Sequence, residues 1–144
     1  MIYIKSIRDV ERGEYDYTWA ITRSNKVPVW MTNIQELSPS WDLFNKYREL
    51  AAKGQWNLNT FKTLYVPQFL RELNNPASRK ALNTLVKLDR HGASVCLVCF
   101  CPGEQLCHRS IIAGILQGAG CYVVTEAGTD YSSYYEMFNG ESSQ

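Results

Sequence analysis

The chain has 144 residues, and Lys+Arg 15 against Asp+Glu 14 leave a formal charge of +1. One domain of this length buries a core without disulfides or a structural metal, and a near-neutral chain has no global field to attract nucleic acid or an anionic membrane. No apolar stretch approaches the roughly 18 residues of a bilayer span, Met1-Ile2-Tyr3-Ile4-Lys5 lacks the order of a secretion signal, and four of the five cysteines crowd between Cys96 and Cys107. That spacing suits reduced thiols better than a disulfide framework, so a soluble, cytoplasmic protein is expected.

Ile2, Ile4 and Ile7 with Tyr3 predict a first strand, and Tyr17-Thr18-Trp19-Ala20-Ile21-Thr22 a second, β-branched and aromatic. Arg23-Ser24-Asn25-Lys26 then leaves the strand, and Val27-Pro28 forces an extended or turning path, a loop placed to cover a ligand. From Ser38-Pro39-Ser40 the period becomes helical, with Leu43, Phe44, Tyr47, Leu50 and Ala51 on one face and Gly54 as the stop. Asn59-Thr60 caps a second helical stretch through Phe61, Leu64, Tyr65, Phe69 and Leu70, in which Pro67 must kink the helix or start a new turn. Asn74-Asn75-Pro76 opens a third helix, ending at Arg90-His91-Gly92.

Ala93 to Phe100 is almost continuously apolar, the pattern of a strand covered on both faces. His108 to Gln117 reads as an apolar helix, and Cys121 to Glu126 as another buried strand, so the unit is strand, helix, strand with a parallel crossover. The expected fold is a single compact α/β domain over 1–144, a mainly parallel sheet with flanking helices in a Rossmann-like, three-layer arrangement. Residues 129–144 form a tail with a short helix around Tyr134 to Phe138 and a frayed end.

Chemistry concentrates between Cys99 and Ser110, where a buried strand runs into a helix start. Ligands of open parallel sheets sit outside the carboxyl ends of strands, and a helix N-terminus offers unpaired N–H groups and a favourable dipole to an anion. Arg109 is a candidate bidentate anion clamp, completed by the Ser110 hydroxyl; the alternative is that both only cap the helix. Arg23 is a candidate second clamp, or a solvated loop charge. His108 is the candidate proton-transfer group. Glu126, closing the next strand, is a candidate sugar-hydroxyl acceptor or general base, or an ordinary strand-end carboxylate.

The thiols admit several readings. Cys107 has His108 and Arg109 beside it in sequence, which suits a depressed thiol pKa, but a phosphatase loop needs Cys, five residues, then Arg, and no cysteine here has that spacing. Cys99, Cys101, Cys107 and His108 have the ligand chemistry of a zinc site, yet adjacent Cys107 and His108 would strain one coordination sphere, so no metal and no cofactor are expected. Cys96 lies three residues from Cys99 in a strand and faces the other side, as core. The aromatics Trp30, Trp41, Tyr47, Trp56, Tyr65 and Tyr122 either stack a base or pack the interior; without a basic stripe beside them, nucleic acid is not an expected partner.

Ala20-Ile21-Thr22-Arg23, Leu37-Ser38-Pro39-Ser40 leading to Tyr47, Phe61 to Tyr65, Cys99, Cys107-His108-Arg109 and Val124-Thr125-Glu126 together resemble the domain of unknown function 488 family, small proteins of bacteria and phages. Where many members carry an acidic residue soon after the strand-end cysteine, this chain has Cys101. The resemblance implies a compact α/β fold and one shared pocket around Arg23, Cys99, Cys107, His108, Arg109 and Glu126, with no established activity. The expected function is binding of a small anionic ligand, a nucleotide or nucleoside phosphate, with hydrolysis or group transfer as the reaction class. The alternatives are a thiol or zinc site with a structural or redox role, and a non-catalytic interaction module; the sequence carries no signal for oligomeric state.

Overall fold

The structure, a computed structural model, describes residues 1–142. Five parallel strands form one sheet: β1 (Ile2–Ser6), β2 (Tyr17–Ala20), β3 (Thr32–Asn33), β4 (Val95–Cys99) and β5 (Val123–Val124), in the spatial order β3-β2-β4-β1-β5. β4 is central and every one of its residues is buried, as its apolar run predicts. Its register sets Tyr17 opposite Val95 on one side and Ile2 opposite Val95 on the other. The described residues form a single domain of the three-layer α/β kind.

The two faces of the sheet bury different partners. Val95, Leu97 and Cys99 belong to the larger core, which holds all the buried apolar residues contributed by helices, including Leu43, Phe69, Leu85 and Ile111. Cys96 and Val98, turned the other way, meet Ala20 of β2 and Val10 and Met31, from the segments that follow β1 and β2. Cys96 is thus core, and burial pushes its thiol up to about 12.

Helix α1 (Trp41–Ala52) starts where the Ser-Pro-Ser signal places it. Ser40 Oγ accepts from Leu43 N–H at 3.1 Å and donates to Glu72 Oε2 at 2.6 Å, so one hydroxyl caps α1 and ties it to the following helical hairpin. Ser40→Ala removes both bonds and is expected to destabilise the protein by about 1–2 kcal/mol, read as a lower urea midpoint.

The second helical stretch begins two residues earlier than its sequence signal. Asn57, not Asn59, is the cap of α2 (Leu58–Thr60), in a capping box with Thr60. A π turn over Phe61–Tyr65 follows, and then α3 (Val66–Leu73). Pro67 explains the irregularity: proline has no N–H for the carbonyl one turn back, and the chain widens the turn ahead of it, with Val66 N–H donating to Phe61 O, five residues back. α4 (Pro76–Arg90) has the predicted Asn75 cap and ends at His91-Gly92.

α5 (His108–Gly118) is buried from His108 through Leu116. The strand expected over Cys121 to Glu126 shortens to two residues on the sheet edge, with Tyr122 65 % and Val124 37 % exposed; it is an edge strand rather than a buried one. α6 (Ser133–Ser142) extends the expected Tyr134 to Phe138 helix and docks on α5, burying Tyr134 and Phe138. The frayed end expected beyond it falls on residues 143–144, outside those described. β3 has no counterpart in the predicted elements. No helix among the described residues is long and apolar enough to cross a membrane.

Candidate active site at the carboxyl ends of β2 and β4

From β2 the chain moves towards β3 at one sheet edge, and from β4 towards β5 at the other. Divergent connections leave a crevice between β2 and β4 at their carboxyl ends, the general place for a ligand in such sheets. A cavity of about 480 Å³ opens there. Its floor is Cys99, Cys101, Cys107 and His108; one wall is aromatic, with Trp41, Phe44, Tyr47, Trp56 and Tyr65; the rim is the Thr22 to Lys26 loop.

The floor is built by the end of β4 and the start of α5. Cys107, the N-cap residue, is extended (φ −126°, ψ 148°) and His108 opens the helix. Cys99 Sγ lies 3.1 Å from Cys107 Sγ, and Cys107 Sγ lies 3.6 Å from His108 Nδ1. His108 Nε2 is 2.5 Å from Ile21 O; a carbonyl only accepts, so Nε2 carries the proton and Nδ1 faces the thiol. Phe69 packs edge-on against the imidazole, with centroids 5.5 Å apart at 74°.

Burial by itself would raise the Cys107 thiol, but hydrogen bonds from the Cys101 and Cys99 thiols, together with His108, outweigh it and hold Cys107 well below the ordinary cysteine value. The partner thiols move the other way: hydrogen bonding to Cys107 pushes Cys101 up to about 12, and hydrogen bonds to Cys101 and Cys107, with burial, raise Cys99.

The predicted site residues divide. Arg23, Cys99, Cys107 and His108 meet at this cavity. Arg109 does not: its side chain is 1 % exposed, and Nη2 donates to Cys101 O at 2.9 Å and Gly103 O at 2.7 Å, so the guanidinium braces the β4–α5 loop from behind. Ser110 is fully buried and its hydroxyl donates to Cys107 O at 2.8 Å, inside the first helical turn and outside the cavity lining.

Glu126 lies elsewhere as well. With Arg109, Lys5, Ser6, Asp9, Glu104 and Thr125 it lines a separate cavity of about 340 Å³ outside β1 and β5. The single pocket implied by the family resemblance is therefore two, separated by the β4–α5 loop.

Arg23 is half-buried and partly committed. Nε donates to Pro39 O at 2.8 Å and Nη2 to Gln35 O at 3.3 Å, which orders the approach to α1 and fixes the guanidinium at the cavity rim. Lys26 beside it is exposed and lines the same rim; it lay in the predicted covering loop but was not singled out by its sequence context. Glu104 was also not foreseen. It is buried, accepts from Glu126 N–H at 2.9 Å and from Tyr131 O–H at 2.6 Å, and so locks the β4–α5 loop to the segment after β5. A charged residue in a Pro-Gly loop carries no sequence signal of burial.

Fold and site define an open parallel α/β domain with a crevice floored by thiols and an imidazole. The chain belongs to the DUF488 family: the profile of the active DUF488-N3 subclade, DUF488-N3a, matches residues 3–120. That span runs from β1 to just beyond α5 and includes the whole crevice, while Glu126 and α6 follow it. No curated protein and no solved structure matches the chain.

Proposed function

We propose that the crevice between β2 and β4 binds a small anionic ligand bearing a planar ring, a nucleotide or nucleoside phosphate, with hydrolysis or group transfer over the thiol floor as the reaction class. The supporting observation is one cavity that pairs an aromatic wall with two cations. Trp41, Phe44, Tyr47 and Trp56 offer faces and edges to a ring, and Arg23 and Lys26 stand at the rim where a phosphate would lie. The volume of about 480 Å³ is within the range of small-molecule sites, roughly 300–1,000 Å³. Arg109, which braces the loop, has no part in holding the anion. Five free cysteines fit a reducing compartment, and the cytoplasm is the proposed location.

A thermal-shift panel tests this reading. A nucleoside phosphate at about 100 times its Kd adds about 2.7 kcal/mol to stability, a rise of roughly 10 °C for a chain of this size. Ribose 5-phosphate and the free nucleoside each offer half of the pattern and are expected to shift the transition less. Lys26→Ala, at an exposed position, is expected to leave the ligand-free transition in place and to remove most of the phosphate-dependent shift. The reading fails if no anion in the panel raises the transition, or if Lys26→Ala and Trp41→Ala bind the ligand as the wild type does.

A further inference from the structure

We propose that Cys99, Cys101 and Cys107 bind one thiophilic divalent cation, zinc above others, in the floor of the crevice, with the His108 imidazole beside Cys107 turning in as the fourth donor. The inference goes beyond the ligand reading and does not depend on what fills the space above. Three sulfurs lie within 4.8 Å of one another, two of them buried and the third at the cavity floor. Thiolates about 2.3 Å from a tetrahedral zinc stand roughly 3.8 Å apart, and a thiolate and an imidazole nitrogen roughly 3.6 Å apart. The Cys107 Sγ to His108 Nδ1 distance is 3.6 Å, the length of such an edge.

Adjacency in sequence is no obstacle, because extended Cys107 followed by helical His108 turns both side chains to the same side. The Cys99 and Cys107 sulfurs, now 3.1 Å apart, need to separate by about 0.7 Å to share the ion.

The surroundings of the cluster have the features of a metal centre's outer shell. A ligating imidazole nearly always donates its other N–H to a carbonyl or carboxylate, which fixes the ring and the tautomer. His108 Nε2 does so to Ile21 O, leaving the Nδ1 lone pair towards Cys107 Sγ. Arg109 stands behind the cluster, 1 % exposed, and donates to the carbonyls of Cys101 and Gly103.

Three thiolates and a neutral imidazole around a dication carry a net charge of −1, which the Arg109 guanidinium behind the loop tolerates. Loading releases the thiol protons to solvent, with no change of oxidation state. The all-soft and imidazole donor set favours zinc and disfavours magnesium or calcium.

The test is made on the full chain, purified anaerobically without chelator. Elemental analysis is expected to show about one zinc per chain, and exchange with Co(II) to give the intense visible bands of tetrahedral cobalt with a near-ultraviolet thiolate charge-transfer band. Cys101→Ser is expected to weaken binding at least tenfold and to diminish the charge-transfer band. Cys121→Ala, which changes a cysteine outside the cluster, is expected to leave both unchanged. Metal-free protein that gives only the weak spectrum of hydrated cobalt overturns the proposal. So does a folded Cys101→Ser protein with wild-type affinity and spectrum. If Cys101→Ser does not fold, the wild-type spectrum decides alone, since three thiolates give a charge-transfer band that an unbound cluster lacks.

Discussion

Phe69→Ala is expected to lower the unfolding free energy by about 3–5 kcal/mol and the thermal midpoint by roughly 10–20 °C, the largest effect of any single truncation near the site. Phe69 is fully buried at the end of an aromatic series that reaches Tyr65, 6.0 Å away at 30°, and His108, 5.5 Å away at 74°. Removing the ring forfeits its apolar burial and leaves a cavity beneath the imidazole, which the widened helical turn just before α3 is poorly placed to refill. Phe69→Leu keeps most of the volume and is expected to cost only about 1 kcal/mol. Urea unfolding monitored by tryptophan fluorescence reads both, with the slope unchanged. A loss below 1 kcal/mol for the alanine variant would show that the ring does not support the floor of the crevice.

Gly114→Ala is expected to destabilise by about 2–3 kcal/mol even though alanine is the better helix former by about 1 kcal/mol. A Cβ at Gly114 would stand 2.0 Å from Tyr131 O, a backbone atom that can move only if the start of α6 moves with it. Gly118 is similarly pressed, its Cβ position falling 2.1 Å from Tyr135 Cβ. Gly140, inside α6 with nothing within 4 Å, supplies the opposite sign: Gly140→Ala is expected to stabilise by about 0.5–1 kcal/mol. Equal effects at the two positions would mean that α5 and α6 are not in close backbone contact in solution.

Much of the fold was legible because its signals are periodic or chemical. β4 was readable from an unbroken apolar run, α1 from Ser40, α4 from Asn75-Pro76, and α5 from its apolar face after Cys107. β3 was not, since two residues, Thr32–Asn33, hold no period. β5 misled because Cys121 to Glu126 is apolar and β-branched in composition yet sits at an edge, and composition does not report strand order.

The site divides along the same line. Consecutive helix residues project about 100° apart, so a helix that turns His108 into the β2–β4 crevice turns Arg109 away from it, towards the loop carbonyls. That much was available from helix geometry. The exclusion of Glu126 was not: β5 lies beyond β1, two strands removed from β4, and only the sheet order reveals it.

The sheet order also governs how the chain assembles as it is made. β1 and β2 come first in synthesis but never touch; β4 must slot between them, pairing Ile4 with Leu97 on one side and Trp19 with the same Leu97 on the other. Until about residue 99 has left the ribosome, β1 and β2 wait with the edges that β4 will cover still open, β2 paired only to the short β3. Closure is then a late, long-range event rather than a zippering of hairpins, so a fragment ending after α4 has no central strand and exposes sticky edges. The segment that finally inserts, β4, ends in Cys99, so the crevice gains its floor only as the sheet closes.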